Sequence, residues 1–505
     1  MSRLRKAAKA AVVTQFFNSA GLLLSLVTVP LYLIWLGQER YGLLLTGLAF
    51  SSYLMFSDAG INWASMLLMA QANGRGDRSE IAAILRTSFP LAACSALVVI
   101  LVVAAVYLAL SMAGGPPWLP VHPEFPGLLI AIAISVLVSL AASPFYNLFI
   151  ALQETHIAAI YQGLSRIFGT VASLAIATMG APLGWVFSGN VVIAFFVGVI
   201  ASIHCRRRHP WAFQPGRFWE TTQVRQQLRT GAKSFVMQIG AVLSGTAPVL
   251  AISFAAGAQF VPYYTIPLTL MHAPCGVLSS FSTSLQAGYG EAMGREETEW
   301  IAETVRRLLR QVLLILCLLG CGFLLLAEPF IHLWTHGKIE LSAGMRMGVF
   351  ALAGIGTVLT IFRFALTGIN RHRVTSLSDL IGGILTMGIA ISIASFYGYE
   401  WVALAAAVVA TLNSGWLLPH ELKRALGVRS LWPSLAFWGR WLVVCIGTFT
   451  SGWVTLNALD FLTGWIRIVV SGAVTTIAFG ALVWILLRDE TAILRRWLPF
   501  PEGLR

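Results

Sequence analysis

Long apolar stretches, broken at intervals by short charged or Pro/Gly-rich connections, set the pattern of this chain. A stretch of about 20 apolar residues is long enough, as an α-helix, to cross ~30 Å of hydrocarbon. Placed between the polar breaks, such stretches predict spans at 12–35, 41–67, 84–110, 126–151, 157–179 and 182–204. Six more follow at 231–256, 261–286, 308–328, 346–368, 374–397 and 400–422, and two at 437–459 and 465–487. The pattern therefore predicts an all-α polytopic membrane protein with about 14 transmembrane helices. The stretch after Met1–Lys9 is too long for a cleaved signal and shows no clear small-residue cleavage site, so it reads as the first span.

Composition agrees, with 57% apolar and 11% charged residues among 505, against ~25% charged in soluble domains. The net charge of +13 would suggest nucleic acid in a soluble protein; here topology accounts for it. With the fourteen spans in place, 28 of the 34 Lys and Arg residues fall on the side of the N-terminus. Only Arg40, Lys338, Arg346 and Arg467 fall opposite, and Arg166 and Arg363 lie inside spans. Basic residues concentrate on the cytoplasmic side, so both termini are predicted to be cytoplasmic. Trp35, Trp118, Trp334 and Trp465 on one side, and Trp211, Trp219, Trp438 and Trp497 on the other, mark the interfaces where amphipathic rings settle.

Short outer connections leave no external domain for catalysis, so no enzyme and no catalytic residues are expected. The six cysteines (94, 205, 275, 317, 321 and 445) are scattered without a CxxC and read as small embedded hydrophobes. His332 and His336 lack a nearby third ligand, so no metal is expected. No GxxxxGK[ST] motif provides for a nucleotide.

Six spans, a basic linker and six spans suggest duplication. At an offset of 216 residues His156 meets His372, and Gly184-Trp185-Val186 meets Glu400-Trp401-Val402; at 218, Pro30 meets Pro248. Even-numbered halves have the same orientation. This predicts an N-terminal six-helix lobe (1–204), a basic cytoplasmic linker (205–230), a C-terminal six-helix lobe (231–422), and two additional helices with a cytoplasmic tail (423–505). Two parallel lobes around a central cavity suit transport by alternating access. Pro30 and Pro248, each within a span, are candidate hinges.

The segment "NSAGLLLSLVTVPLYLIWLGQERYG" (Asn18 to Gly42) followed by "SDAGI" (Ser57 to Ile61) resembles the start of polysaccharide-biosynthesis flippases, the Wzx-type branch of the multidrug/oligosaccharidyl-lipid/polysaccharide (MOP) exporter superfamily. "GAQFVPYY" (Gly257 to Tyr264) and "LTGINRHRVTS" (Leu366 to Ser376) extend the likeness into the second half. The resemblance implies a MATE-like fold in the cytoplasmic (inner) membrane. It also implies export of an isoprenoid (undecaprenyl) pyrophosphate-linked oligosaccharide, such as an O-antigen, capsule or exopolysaccharide repeat unit. Implied partners are that substrate, membrane lipids, and polysaccharide polymerase or chain-length machinery, with no nucleic acid. No cofactor is expected, and a proton or sodium ion is the candidate for coupling. The rival reading is a cation-coupled multidrug or small-solute exporter, which would place acids in the cavity. A less favoured one is a membrane-embedded glycan polymerase.

For such a substrate the chemical need is a cation for pyrophosphate, best met by a planar guanidinium, and amides for sugar. Arg363, near the end of its span, is the leading candidate, with snorkelling to the interface as the alternative. Arg166, deeper in its span, comes next, its alternative being a structural ion pair. Lys233 and Asn18 complete the candidate substrate-binding set. Asp379 lies at the repeat equivalent of Gly163, close to Arg166, and either closes a gate with it or pairs locally. Asp58 and His272 are candidate coupling groups, with helix-packing hydrogen bonds as the alternative.

Overall fold

The structure, a computed structural model, describes residues 3–112, 122–460 and 464–487. Among the described residues there are fifteen α-helices and no strand. The first eight are α1 (Arg3–Trp35), α2 (Gly37–Leu54), α3 (Ile61–Arg75), α4 (Arg78–Met112), α5 (Phe125–Ala151), α6 (Thr155–Thr178), α7 (Leu183–Arg208) and α8 (Thr221–Ala255). Then come α9 (Val261–Gly294), α10 (Thr298–Trp334), α11 (Ala343–Gly368), α12 (His372–Phe396), α13 (Val402–Leu426), α14 (Leu435–Ala458) and α15 (Gly464–Leu486).

Eleven helices are long and apolar enough to cross a membrane, and α2 with α3, as one bent span, makes twelve. The sequence predicts fourteen. The other two positions belong to α6 and α9, which are more polar: α6 carries Gln162, Ser165 and Arg166, and α9 carries three prolines, His272 and a hydroxyl-rich run at 279–284. The span expected to be continuous over 41–67 is instead broken. The chain bends by 56° between α2 and α3, where Ala59 (φ 46°) and Gly60 (φ 75°) turn left-handed and cannot continue a helix.

Contacts divide the chain into two compact units, Met1–Pro262 and Tyr263–Arg505. In the first, α3, α4 and α5 enclose Met69, Ile84, Leu85, Leu148 and Phe149, and α7 packs on α5 and α6. α8 joins this unit through α2, α3 and α4. Its fully buried Gln227 accepts the hydroxyls of Ser65 (2.6 Å) and Ser88 (3.3 Å) and donates to the Ile84 carbonyl, so the polar groups it brings inside are satisfied. In the second unit α13 packs on α11 and α12, and α14 and α15 lie on α10 around Leu313, Cys317, Phe437, Val444 and Val483.

The duplication is visible in the turns. Left-handed residues recur in pairs, Gly37 with Gly257, Gly76 with Glu296, Gln153 with Asn370 and Gly180 with Gly398, at offsets of 217 to 220. Each pair ends a helix of its copy in the same way. An ion pair recurs as well: Glu154, just after the α5 turn, takes Arg208 at the end of α7, and the equivalent Arg371 takes Glu421 near the end of α13 at 3.1 Å. The charges have changed places.

Candidate functional site

In the first unit α6 lies close against α1 because glycine faces side chain at two successive levels. Phe17 fills the place a Cβ on Gly163 would occupy, its ring 2.2 Å away, and Gly21 leaves room for Arg166, whose Cδ lies 3.7 Å from the corresponding point. Arg166 is the twelfth of 24 residues in α6, about 17 Å along the helix. Its side chain is exposed, and its guanidinium has no ion pair or hydrogen bond among the described residues. Asn18, one turn before Gly21, is exposed, as are Gln15 and Gln162. A polar face at mid-helix depth is unfavourable against lipid and expected against water.

Asp58 is placed differently. It is 4% exposed, and its carboxylate accepts the backbone N–H of Gly60 (2.8 Å) and of Asn62 (3.4 Å). It therefore holds the bend and caps the start of α3, where the helix dipole favours a negative charge. Asn62 continues the network to Ser143 and Asn147 of α5. A Cβ on Gly60 would stand 2.5 Å from the Gly231 carbonyl oxygen, so the "DAG" turn is also where α8 approaches most closely.

In the second unit Arg363 of α11 forms an ion pair with Asp379 of α12. Of the two alternatives for Asp379, local pairing is the one the structure displays. The Arg363 side chain is 38% exposed and that of Asp379 is 12% exposed. The Arg363 Nε is buried without an acceptor among the described residues. Of the two arginines predicted inside spans, the pair thus leaves Arg166, rather than the favoured Arg363, without a counter-ion among the described residues. His272 is on α9 with its side chain exposed. Pro30 and Pro248 lie within α1 and α8, and neither interrupts its helix. Lys233 belongs to α8, and its side chain lies outside the described residues.

Three features escape a reading by sequence alone. Glu124, before α5, accepts Arg40 of α2 (3.0 Å) and the Leu183 N–H of α7 (2.7 Å), while Arg40 also donates to the Ala181 carbonyl (2.6 Å). This fastens three connections at the end of the unit opposite Glu154. Arg40 as one of four basic residues on that face was the available signal. Beside it is a cavity of about 480 Å³ whose lining includes Glu39, Thr46, His122, Phe125, Ser253 and Gln259. In the second unit the cysteines gather, the Cys445 thiol of α14 lying 2.9 Å from Cys317 Sγ of α10, one turn from Cys321. Among the described residues no cluster of His, Cys, Asp and Glu is arranged to hold a metal.

The opposite end of the first unit is closed by a fork of charge. Arg208 donates from Nε and Nη2 to Glu154 at 2.8–3.1 Å, and His209 lies 3.0 Å from the same carboxylate. Partial burial pushes the Glu154 carboxyl up, but the hydrogen bonds and charges of Arg208 and His209 outweigh it and hold the group below its ordinary range.

The profile of a family described as "Polysaccharide biosynthesis protein" matches residues 7–286. No curated protein sequence matches the chain. Among solved structures, a lipid II flippase MurJ in an inward closed conformation matches with a TM-score of 0.67 at 13% identity, over 95% of this chain and 99% of that one. An inward-facing multidrug resistance MATE family transporter of the MOP superfamily gives 0.58 at 15%, over 85% and 99%. A MOP superfamily transporter from Pyrococcus furiosus, described by the reverse polarity of its binding pocket, gives 0.54 at 15%, over 85% and 98%. At these identities the likeness establishes the fold, which is that of the MOP superfamily.

Proposed function

We propose, from the premise that this chain belongs to the polysaccharide biosynthesis protein family, that it is a flippase and not an enzyme. It carries undecaprenyl pyrophosphate-linked oligosaccharide repeat units, of O-antigen, capsule or exopolysaccharide, from the inner to the outer leaflet of the cytoplasmic membrane by alternating access. Both termini are on the cytoplasmic side, where the basic residues concentrate. The observation that carries this reading is Arg166, an exposed guanidinium at mid-helix depth with no acid to neutralise it among the described residues. Such a group needs water and an anion, and a pyrophosphate supplies the second with the bidentate geometry a guanidinium favours.

The chemistry divides among the parts of the substrate. Arg166 meets the pyrophosphate within the membrane, Arg363 and Lys233 nearer the cytoplasmic side. Asn18, with Gln15 and Gln162 on the same polar face, offers amide donors and acceptors to sugar hydroxyls. The isoprenoid tail stays in lipid and needs no site. For a coupling proton or sodium ion His272 is better placed than Asp58, whose oxygens already serve the α3 cap. The rival reading, a cation-coupled multidrug or small-solute exporter, is less well supported, because the acids Asp58 and Asp379 are each engaged within their own units.

The test is deletion of the gene followed by separation of lipid-linked intermediates by leaflet. Repeat units accumulate on the cytoplasmic leaflet, the wild-type gene clears them and R166Q does not. Equal distribution between leaflets in the deletion strain rejects the function.

A further inference from the structure

We propose that Asp379 is an internal counter-anion that keeps Arg363 occupied until a phosphate group displaces it, so that the pair is an anion-exchange site on the second unit. This rests on the flippase reading for the identity of the phosphate, a lipid-linked pyrophosphate.

What sets the pair apart is its openness: the Nε of Arg40, Arg86 and Arg306 is likewise buried without an acceptor among the described residues, but those side chains are 23%, 16% and 21% exposed, against 38% for Arg363. Arg208 and Glu154 meet as a fork, with Nε and Nη2 both donating. Arg363 reaches Asp379 through Nη2 alone. Its Nε is buried with no acceptor among the described residues, although buried donors in folded proteins are nearly always satisfied, and more than a third of its side chain remains open. The arrangement therefore has an acceptor missing beside a guanidinium that is partly accessible. A tetrahedral phosphate can accept from Nε and a terminal nitrogen together, as Glu154 does from Arg208, whereas Asp379 as placed takes Nη2 alone.

Depth fits the same role. Arg363 lies five residues before the end of α11 and Asp379 seven after the start of α12, about 8 and 10 Å inside the helix ends. That is about one to two helical turns inside the span, within reach of a phosphate entering from those ends. An arginine left without an anion there would be unfavourable, and Asp379 supplies one while no substrate is bound. Displacement then leaves Asp379 as a buried carboxylate without its partner, so the exchange favours return of the pair and release of the phosphate. A resident competitor of this kind lowers affinity and allows turnover, whereas Arg166 has none.

The experiment is calorimetric binding of inorganic pyrophosphate to the full-length protein in nanodiscs, comparing wild type, D379N and R363Q/D379N. D379N binds about tenfold more tightly or better, the scale of one hydrogen bond to a charged group, and the double variant loses that gain. A folded D379N with unchanged affinity, or a double variant that keeps the gain, overturns the proposal. If D379N fails to fold, wild-type Arg363 is mapped by phenylglyoxal modification and mass spectrometry. Protection by pyrophosphate supports exchange, and absence of protection overturns it. Nanodiscs carrying polyprenyl pyrophosphate or phosphatidylglycerol identify the source. A gain confined to the first supports substrate recognition, and an equal gain with both assigns the site to bulk lipid and overturns that role. The difference between wild type, D379N and the double variant reads the ion pair alone, so failure here alongside accumulation of repeat units in the deletion strain rejects the exchange and leaves the flippase standing.

Discussion

Replacing Arg166 by glutamine separates a functional arginine from a structural one, because the two roles predict opposite effects on stability. A structural arginine holds partners, and its loss leaves them unpaired at a penalty of several kcal/mol. Arg166 has no such partner among the described residues, so the substitution removes no ion pair. A guanidinium at the centre of a span costs about 2.5–3.5 kcal/mol on insertion scales, less where water reaches it, and R166Q removes that cost while keeping a polar group at the exposed surface. The aliphatic stem beside Gly21 is shortened, a packing loss of about 0.8 kcal/mol per methylene at most. R166Q is therefore expected to be as stable as wild type or more so. Transport changes in the other sense. One charge-assisted hydrogen bond to phosphate is worth about 1.5–3 kcal/mol, so flipping falls about ten- to hundredfold, and R166K, which keeps charge but not the planar fork, falls between. The assays are thermal unfolding in detergent micelles and leaflet-resolved lipid analysis in cells. An R166Q protein that unfolds several degrees lower, or transports as well as wild type, refutes the reasoning.

Three further outcomes test the fold around the site. G42A places a Cβ 1.7 Å from the Ala258 carbonyl oxygen, which backbone cannot yield, so it destabilises by about 3 kcal/mol or more; G356A in α11, with nothing within 4 Å, is neutral or stabilises by up to about 1 kcal/mol, and both are read from thermal melts. Copper–phenanthroline oxidation is expected to join Cys317 to Cys445, seen as a linked peptide by mass spectrometry, and C445A abolishes the product. Because the Glu154 carboxyl is held below its ordinary value of 4.5, the fork with Arg208 is complete above that pH and is lost as acid protonates Glu154 through its lowered value. Amide-exchange protection of the α5–α6 turn is thus flat above pH 4.5 and falls below it, and a loss beginning at pH 6 contradicts this account.

Apolar run length placed the helices well because lipid demands that length whatever the packing. It could not reveal the break at Asp58, since a carboxylate after an apolar run reads equally as a buried charge or a cap, and only the left-handed Ala59 and Gly60 decide between them. The two charges inside spans stand out in the sequence, but it does not show which of them has an acid on the adjacent helix. Arg363 does, sixteen residues away across a turn; Arg166 does not, and no periodicity encodes that difference. The gathering of Cys317, Cys321 and Cys445 was invisible for the same reason, the last being 124 residues from its nearest partner in sequence.

The two copies show what the fold requires and what it leaves free. Where α6 or α12 begins, each copy needs an ion pair to the end of the following span, and Glu154–Arg208 and Arg371–Glu421 meet that need with opposite polarity. Polarity is immaterial to holding two helices together, so either arrangement serves. Among the described residues the copies differ in kind: α6 carries a guanidinium without a counter-ion, and α11 a guanidinium with one. Unlike the ion pair at the helix ends, this difference is not an exchange of polarity, because among the described residues one copy has no acid for its guanidinium. The difference is instead what a substrate with a single anionic group calls for, a permanent cation at mid-helix depth and a second that is released only when the phosphate arrives.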